Sequence, residues 1–390
     1  MQTNNKKNIG FISESDPFAD RVAWSGTLFK IRESLENAGF NVVWIPVKSN
    51  TFIEKVYKAC IKLYSKFFCQ NKLIVLGVHR PFIAKLQAKM IKKNAVYHSC
   101  DAFFFAGGGQ RALYMDLFGK PVIYYTDATF HIMAEYYWKN LDESSKYESM
   151  ELEKSATQLA ALNLRSSEWA AKSVVKDCEF DPRKNFVLEF GANLDDIDIS
   201  PIDPYKEGSL NLLFSGVDWD RKGGDIAVKT TEILRANGID AKLTVTGIRN
   251  FPQKYKNLSF ILNLGFLNKN NPDDYKKYVE CWKHSHAFIL PTRAECSAIV
   301  YCEAAAFGVP TYTYLTGGTA NYVIDGVNGY ALPYEASAEE FANKIIFDIK
   351  SGNMKNLHQG ALKLYHERLS WKAWSNRFKA IVDMVGLFND

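Results

Sequence analysis

The sequence predicts an α/β protein with two Rossmann-like domains, and three observations lead to this fold class. A chain of 390 residues exceeds the ~100–200 residues of an ordinary domain. Short apolar runs typical of buried strands alternate with segments whose apolar residues recur at helical spacing, and glycine-bearing loops join many of them. The alternation stops in the segment 191–208, which contains Pro201, Pro204 and Gly208, and then starts again. We therefore place a linker there, between domains over residues 1–195 and 196–370.

The first domain opens with a βαβ pattern. A strand is predicted over 8–13, a helix from Leu28 to Ala38 that ends at Gly39, and a second strand over 40–47. In open α/β sheets the loop at the carboxyl end of such a strand binds ligands. Further strands are predicted over 73–78, 102–106, 121–125 and 186–190, and further helices over 83–93 and 142–171.

The second domain repeats the alternation of strands and helices. Its predicted elements are strands over 210–216, 242–247 and 286–290, a loop over 217–225, a helix closed by Gly238, and a short Ala-rich helix between Ser297 and Gly308. Two such halves joined by one linker leave a cleft between them. Residues 371–390 are predicted to form an amphipathic helix that packs back on the first domain.

The composition is typical of a soluble globular protein, with 47% hydrophobic and 23% charged residues. No apolar run approaches the ~20 residues of a membrane span, so we expect neither a signal peptide nor a transmembrane helix. The seven cysteines are odd in number and lack C-x-x-C spacing, which argues against zinc or a disulfide framework and favours a reducing cytoplasm. His79, His284 and His286 make no metal constellation, so no metal is expected. No G-x-G-x-x-G motif occurs, and no cofactor is expected either.

Residues 51–100 are strongly basic. They hold ten lysines and arginines against one acid, Glu54, and aromatic and aliphatic residues lie between the lysines. One interpretation is docking on an anionic membrane surface or an anionic acceptor; the other is a solvated helical face over an ordinary core. Nucleic acid is disfavoured as a partner because no recognised binding motif accompanies the patch.

Two carboxylates, Glu295 and Glu303, stand eight positions apart around the predicted short helix. Glu295 lies in the loop before this helix and Glu303 lies inside it. If most of the interval is helical, a rise of ~1.5 Å per residue separates the carboxylates by roughly 10 Å, with the helix N-terminus between them. That spacing suits a phosphorylated ligand held at both ends.

Three segments in order resemble one enzyme family over nearly the whole chain. They are a strand with an Arg-Lys-Gly-Gly loop (214–224), a Glu-x7-Glu element ending in Glu-Ala-Ala-Ala-Phe-Gly-Val-Pro (295–310), and a glycine-rich tail with Asp-Gly-Val-Asn-Gly (316–330). The sequence resembles the retaining GT-B glycosyltransferases with an E-x7-E motif, which are glycosyltransferase family 4-like members of the "glycosyl transferases group 1". The resemblance implies transfer of a sugar from a UDP- or GDP-linked donor to a glycan or lipid-linked acceptor, without a bound metal.

The resemblance also implies roles for individual residues. Lys222 would bind the donor diphosphate with Arg221, Glu303 would accept hydrogen bonds from the ribose hydroxyls, and Glu295 would face the transferred sugar. Fixed cations of this kind stabilise the charge that builds on a departing diphosphate. The remaining predicted donor-binding positions are the backbone amides of Ser297, Ala298 and Ile299, together with Gly26, Thr27, Gly247 and Leu267.

On the first domain two residues compete for the active-site role. Many family members carry a histidine just after the strand that matches 121–125, where this chain has Thr126-Asp127, with His131 four residues later. Asp127 is the first candidate to orient the acceptor hydroxyl or accept its proton, and His131 is the second.

The chain departs from the family pattern in three places. Val217 stands where an arginine is common, Cys296-Ser297-Ala298 replaces a Gly-Phe-Gly run, and Asn321-Tyr322 stands where an acid is frequent. The first change gives Arg221 a compensating role, and the second leaves the transferred sugar open.

These patterns indicate a cytoplasmic enzyme of cell-envelope or capsular polysaccharide synthesis, either free or peripheral on the inner face of the plasma membrane. Two alternatives stay open: a GT-B nucleotide-sugar epimerase or hydrolase, and a non-catalytic GT-B subunit that binds a nucleotide sugar and supports a partner enzyme.

Overall fold

The computed structural model describes residues 6–49, 51–69, 72–138, 140–200, 202–203, 205 and 208–388. Parts of four predictions lie outside these residues: Met1–Asn5 of the leader assessment, residues 70–71 of the basic region, Pro201 and Pro204 of the linker, and residues 389–390 of the C-terminal helix. The described chain forms two compact units, the first holding Met1–Leu188 and Ser375–Asp390, the second Glu189–Trp374. Both units are α/β, which confirms the predicted fold class.

The first unit is built on a parallel sheet of six strands. In chain order they are β1 (Asn8–Ser13), β2 (Asn41–Pro46), β3 (Ala102–Ala106), β4 (Val122–Thr126), β5 (Leu162–Arg165) and β6 (Asn185–Val187). Their spatial order is β2-β1-β3-β4-β5-β6. The central strands are buried on both faces, since Phe103, Phe104 and Phe105 are all fully buried.

Among the described residues, six α-helices connect these strands: α1 (Thr27–Asn37), α2 (Phe52–Phe68), α3 (Pro81–Ile91), α4 (Phe130–Tyr136), α5 (Glu143–Leu159) and α6 (Glu168–Asp177). Their starts follow local sequence signals. The side chains of Thr51, Thr129, Asp142 and Ser167 accept hydrogen bonds from the first turns of α2, α4, α5 and α6.

The second unit repeats this plan. Its strands are β7 (Leu210–Ser215), β8 (Ala241–Thr246), β9 (Ile261–Gly265), β10 (Ala287–Leu290), β11 (Thr311–Tyr314) and β12 (Gly329–Leu332), all parallel, in the order β12-β11-β10-β7-β8-β9. Its helices are α7 (Trp219–Lys222), α8 (Gly224–Ala236), α9 (Pro272–Lys283), α10 (Ile299–Ala306), α11 (Ala338–Lys350) and α12 (Met354–Leu364). The last helix, α13 (Trp371–Met384), begins in this unit.

The end of α13 belongs to the first unit. Ser375 Oγ donates a hydrogen bond to the Ser34 carbonyl of α1 at 2.9 Å. The Phe378 ring lies 5.7 Å from Phe40 and 6.3 Å from Phe104, centroid to centroid. The predicted return of the C-terminal helix to the first domain is therefore confirmed.

Two predicted elements are wrong. The run 73–78 is not a strand: Leu73 makes an isolated bridge with Leu141, and the chain turns at Gly77, whose φ of +78° ends extended pairing. The segment 142–171 is not one helix, because strand β5 separates α5 from α6. β5 is only four residues long, and the helical periodicity on both sides of it dominated the sequence pattern.

Smaller differences concern boundaries. The predicted strand over 186–190 ends at Val187, and the predicted loop over 217–225 contains the one-turn helix α7. No helix among the described residues is long and apolar enough to cross a membrane.

Candidate functional site

A glycine-bearing loop follows β7 and leads through α7 into α8. Gly223 has a φ of +77°, and a Cβ built on it would lie 2.1 Å from the Pro291 carbonyl oxygen. A Cβ on Gly216 would lie 2.9 Å from Lys222 Cγ. Glycine at these two positions therefore lets the loop approach the end of β10 and lets the Lys222 side chain lie across the backbone.

The carboxyl ends of β7, β8 and β9 meet beside this loop. Gly247 has a φ of +91°, and a Cβ there would lie 2.4 Å from the Gly216 carbonyl oxygen. The Gly247 amide donates to the Gly265 carbonyl at 2.8 Å, and half-buried Leu267 follows two residues later. Gly247 and Leu267 thus lie at the sheet edge where open α/β sheets bind ligands.

Lys222 and Glu295 form a buried ion pair, although 73 positions separate them. The relative exposure of each residue is 8%. Arg221 joins them: one of its terminal nitrogens donates to the Ala294 carbonyl at 2.8 Å and lies 3.9 Å from Glu295 Oε2. The structure therefore brings together the residues predicted for the diphosphate and for the transferred sugar.

Glu303 is fully buried inside α10, and each of its carboxylate oxygens accepts a hydrogen bond. Lys269 Nζ donates to Oε1 at 2.6 Å, and the Tyr278 hydroxyl donates to Oε2 at 2.5 Å. Burial, and then the charge of Glu303, raises the pKa of Tyr278 well above its ordinary value. Sequence reasoning missed Lys269 and Tyr278, because nothing in the motif pattern placed the start of α9 against α10.

The backbone between the two carboxylates is only partly helical. α10 begins at Ile299. Its N-cap residue is Ala298, so within the described residues no side chain accepts a capping hydrogen bond from the first turn. The Ser297 side chain forms a hydrogen bond with the buried Tyr322 hydroxyl. The part of the interval from Ile299 onward is helical, and the spacing of roughly 10 Å between the carboxylates stays a prediction.

Asn321, which stands where the family often has an acid, serves a buried charged pair. Its side-chain amide donates to Glu189 Oε1 at 3.2 Å, and Arg368 is ion-paired with the same oxygen. Asn321 supplies a donor to a buried carboxylate, so an acid at this position would place two carboxylates side by side.

The first unit carries the predicted acceptor-side residues. Asp127 follows β4 and is partly exposed, and Thr126 Oγ1 donates to Asp127 Oδ1 at 3.4 Å. His131 lies in the first turn of α4, and its Nδ1 is buried without a hydrogen-bond partner among the described residues. Burial lowers the pKa of His131, with nearby acids, Asp177 first, opposing the shift.

Gly26 and Thr27 stand at the start of α1, where the backbone is unusual. Gly26 has a φ of +91°, and the two preceding residues, Trp24 and Ser25, also have positive φ values of 48° and 59°. Left-handed backbone costs a non-glycine residue of order 1–3 kcal/mol, and such residues cluster at ligand-binding sites. Thr27 is fully buried.

Residues 196–360 match the family model described as "Glycosyl transferases group 1". Over 106 residues the chain is 27% identical to sucrose synthase 2 of Zea mays, a match that covers 26% of this chain and only 13% of that relative.

Two solved structures extend the likeness over nearly the whole chain. Sucrose-phosphate synthase of Thermosynechococcus elongatus matches 98% of this chain and 99% of its own, with a TM-score of 0.68 at 15% identity. HepE of Anabaena, solved in complex with UDP, matches 97% of this chain and 100% of its own, with a TM-score of 0.65 at 13% identity. At these identities the likeness shows the fold, and it confirms the predicted GT-B class.

Proposed function

We propose that this chain transfers a sugar from a nucleotide diphosphate sugar to an acceptor with retention at the anomeric carbon, a proposal supported by the match of residues 196–360 to the family model described as "Glycosyl transferases group 1". The observation that carries the proposal is the contact of Lys222 and Arg221 with Glu295 beside a glycine loop. That cluster joins cations for a diphosphate to a carboxylate for a sugar at one sheet edge. Glu303 supplies a second acceptor inside the adjoining helix.

When the donor binds, its diphosphate would replace Glu295 as the ion-pair partner of Lys222. Both side chains are buried, so their pairing satisfies two charges that would otherwise be costly to keep from water. A bound diphosphate offers Lys222 a more highly charged partner, and Glu295 then becomes available to accept hydrogen bonds from the sugar. During transfer the bond from the anomeric carbon to the phosphate oxygen breaks, and Lys222 and Arg221 stabilise the charge that builds on the leaving group.

The acceptor hydroxyl attacks the anomeric carbon and loses its proton. We assign Asp127 to orient that hydroxyl or accept the proton, because it is a partly exposed carboxylate at the carboxyl end of β4. His131 is the alternative, and its lowered pKa keeps it neutral near pH 7 and able to accept a proton. The proposed reaction uses no metal and no cofactor, and UDP or GDP is the proposed donor nucleotide; UDP is the nucleotide in the HepE complex.

A thermal-shift screen of UDP, GDP, ADP and their sugars tests the donor class. A ligand at 100 times its Kd stabilises the folded chain by about 2.7 kcal/mol, so one nucleotide should raise the melting temperature. Product analysis with and without acceptor separates transfer from epimerisation or hydrolysis. If no nucleotide shifts the melting temperature, the proposed donor site is wrong and the chain does not bind nucleotide sugars even as a non-catalytic subunit.

The proposal also includes binding to an anionic membrane surface, because α2 presents apolar and basic side chains together. Of its described residues only Glu54 is buried. Seven of its large hydrophobic side chains are exposed: Phe52, Ile53, Val56, Leu63, Tyr64, Phe67 and Phe68. We call this set the α2 surface. Exposed apolar patches of this kind mark interaction sites, and interleaved lysines favour anionic lipid headgroups.

A peripheral position at the inner face of the plasma membrane would bring the enzyme to a lipid-linked acceptor of cell-envelope or capsular polysaccharide synthesis. Co-sedimentation with phosphatidylglycerol-containing vesicles tests the α2 surface. We expect binding at low salt that weakens at high salt and is lost in the double variant Phe67→Ser, Phe68→Ser. Phe347→Ser is the control, since Phe347 is also an exposed phenylalanine (57%) but lies on α11. Equal binding to purely zwitterionic vesicles, or none at low salt, contradicts the proposal.

A further inference from the structure

Lys269 makes three contacts that converge on the interior of the second unit. It lies between β9 and α9, and its side chain is only 17% exposed. Its Nζ lies 2.6 Å from Glu303 Oε1, 3.3 Å from the Asn193 carbonyl oxygen and 4.7 Å from the centre of the Tyr278 ring. A lysine that serves solubility would instead hold its ammonium group in water.

The partner of Lys269 explains this placement. Glu303 has no exposed surface, and a carboxylate taken out of water requires a counter-charge and hydrogen-bond donors. Lys269 supplies the charge at one oxygen, and the Tyr278 hydroxyl supplies a donor at the other. The Tyr278 hydroxyl also lies 3.4 Å from Ser215 Oγ, at the end of β7. Two direct donors, of which Tyr278 is itself in contact with β7, therefore set the orientation of the Glu303 carboxylate.

Two donors do not fill the acceptor positions of a carboxylate. Its two oxygens offer about four, and Lys269 and Tyr278 occupy two of them. Because Glu303 has no exposed surface, the proposal requires that neighbouring side chains shift when the donor binds, so that two further donors reach the remaining positions. Two adjacent hydroxyl groups, such as the 2′ and 3′ hydroxyls of a ribose, supply a matching pair. Lys269 and the Tyr278 hydroxyl hold the carboxylate in place when such a diol approaches.

Building on the proposed donor site, we propose that Lys269 and Tyr278 are positioning residues that hold Glu303 for recognition of the ribose diol of the donor. Lys269 contributes more than Tyr278 to holding Glu303, because it carries the counter-charge. Tyr278 fixes the second oxygen and packs its ring beneath the ammonium group. Neither residue touches the reacting atoms, so their loss raises the donor KM and leaves kcat nearly unchanged.

Binding of UDP and 2′-deoxy-UDP to the wild-type chain and to Lys269→Met, measured by calorimetry, tests this assignment. The wild type should prefer UDP by roughly tenfold, the value of one charge-assisted hydrogen bond. In Lys269→Met this preference should fall to about threefold or less. Lys269→Arg should restore part of it, and Tyr278→Phe, which keeps the ring, should have the smaller effect.

The controls separate recognition from folding. Lys276→Met changes an exposed lysine of the same helix region and should leave the preference for UDP unchanged. If Lys269→Met and Lys269→Arg weaken UDP and 2′-deoxy-UDP by the same factor, Lys269 is structural and the inference fails. If the wild type binds GDP or ADP in place of UDP, that nucleotide and its 2′-deoxy form are used. If it binds none of them, the proposed function itself fails.

Discussion

The carboxyl ends of the two sheets hold their polar side chains in different ways. In the second unit each predicted carboxylate is buried and paired with a lysine, Glu295 with Lys222 and Glu303 with Lys269. In the first unit Asp127 is partly exposed, and His131 has a buried ring nitrogen without a hydrogen bond among the described residues. The second unit thus pairs each of these carboxylates with a fixed cation, as the proposed donor site requires, whereas the first unit leaves Asp127 partly exposed to solvent.

The largest effect is expected from replacing Lys222, the buried lysine at the carboxyl edge of the second sheet. Lys222→Met should lower kcat for sugar transfer by about 10²–10³-fold, the usual cost of losing one donor to a developing negative charge. Steady-state kinetics with the donor nucleotide sugar measures this change. Lys229→Met is the control, because Lys229 is an exposed lysine (63%) on the next helix, α8. A loss of less than about fivefold would show that the diphosphate is held elsewhere.

The second expected effect concerns the rigidity of the same edge. Gly223→Ala should destabilise the chain by about 3 kcal/mol or more, because the new Cβ meets the Pro291 carbonyl in addition to the left-handed strain. Gly238→Ala is matched in backbone, with a φ of +82°, but no described atom lies within 4 Å of its new Cβ. Gly238→Ala should lower the free energy of unfolding, measured in urea, by only about 1 kcal/mol. Equal losses in the free energy of unfolding for the two variants would show that the loop around Gly223 shifts to accommodate the new Cβ.

The first unit should respond to pH through His79. Burial, and then Arg111, lowers the pKa of His79 from 6.5 to about 4. The unfolded chain therefore binds this proton first, so His79 contributes full stability above pH 6.5 and progressively less as the pH falls toward 4. The loss should reach at most about 3 kcal/mol, and His79→Gln should remove that part of the pH dependence in urea unfolding. Identical pH profiles for variant and wild type would overturn the assignment.

The smallest effect is expected at Ser297, where a substitution tests whether the backbone amide or the side-chain hydroxyl contacts the donor. The Ser297 hydroxyl is engaged with Tyr322, so the proposed donor contact at this position is the backbone amide. Ser297→Ala should cost about 1 kcal/mol of stability and change the donor KM less than about threefold. Thermal unfolding and donor kinetics on one preparation measure both. A large rise in KM would assign the contact to the side chain.

The elements that the sequence predicted well are those whose pattern is local. The strand over 102–106 is apolar throughout, and the strand over 8–13 is apolar from Ile9 to Ile12; burial on both faces of a parallel sheet requires such runs. Strand β5 was missed because four residues between two helices carry too little periodicity.

The candidate site divides in the same way. The motifs named Lys222, Glu295 and Glu303 through resemblance, but their ion pairs join segments 73 and 34 positions apart. Lys269 and Tyr278 became visible only when the placement of α9 against α10 was known. Contacts of that kind depend on packing between elements, which no single-sequence pattern records.

The position of α13 has a consequence for synthesis. The Phe378 ring packs against Phe40 and Phe104 in the interior of the first unit, yet it lies beyond every strand of the second unit in the chain. On the ribosome the first sheet can form early, but its hydrophobic interior gains its last side chains only after about 190 further residues have been made. The unit that is translated first is therefore the one that is completed last.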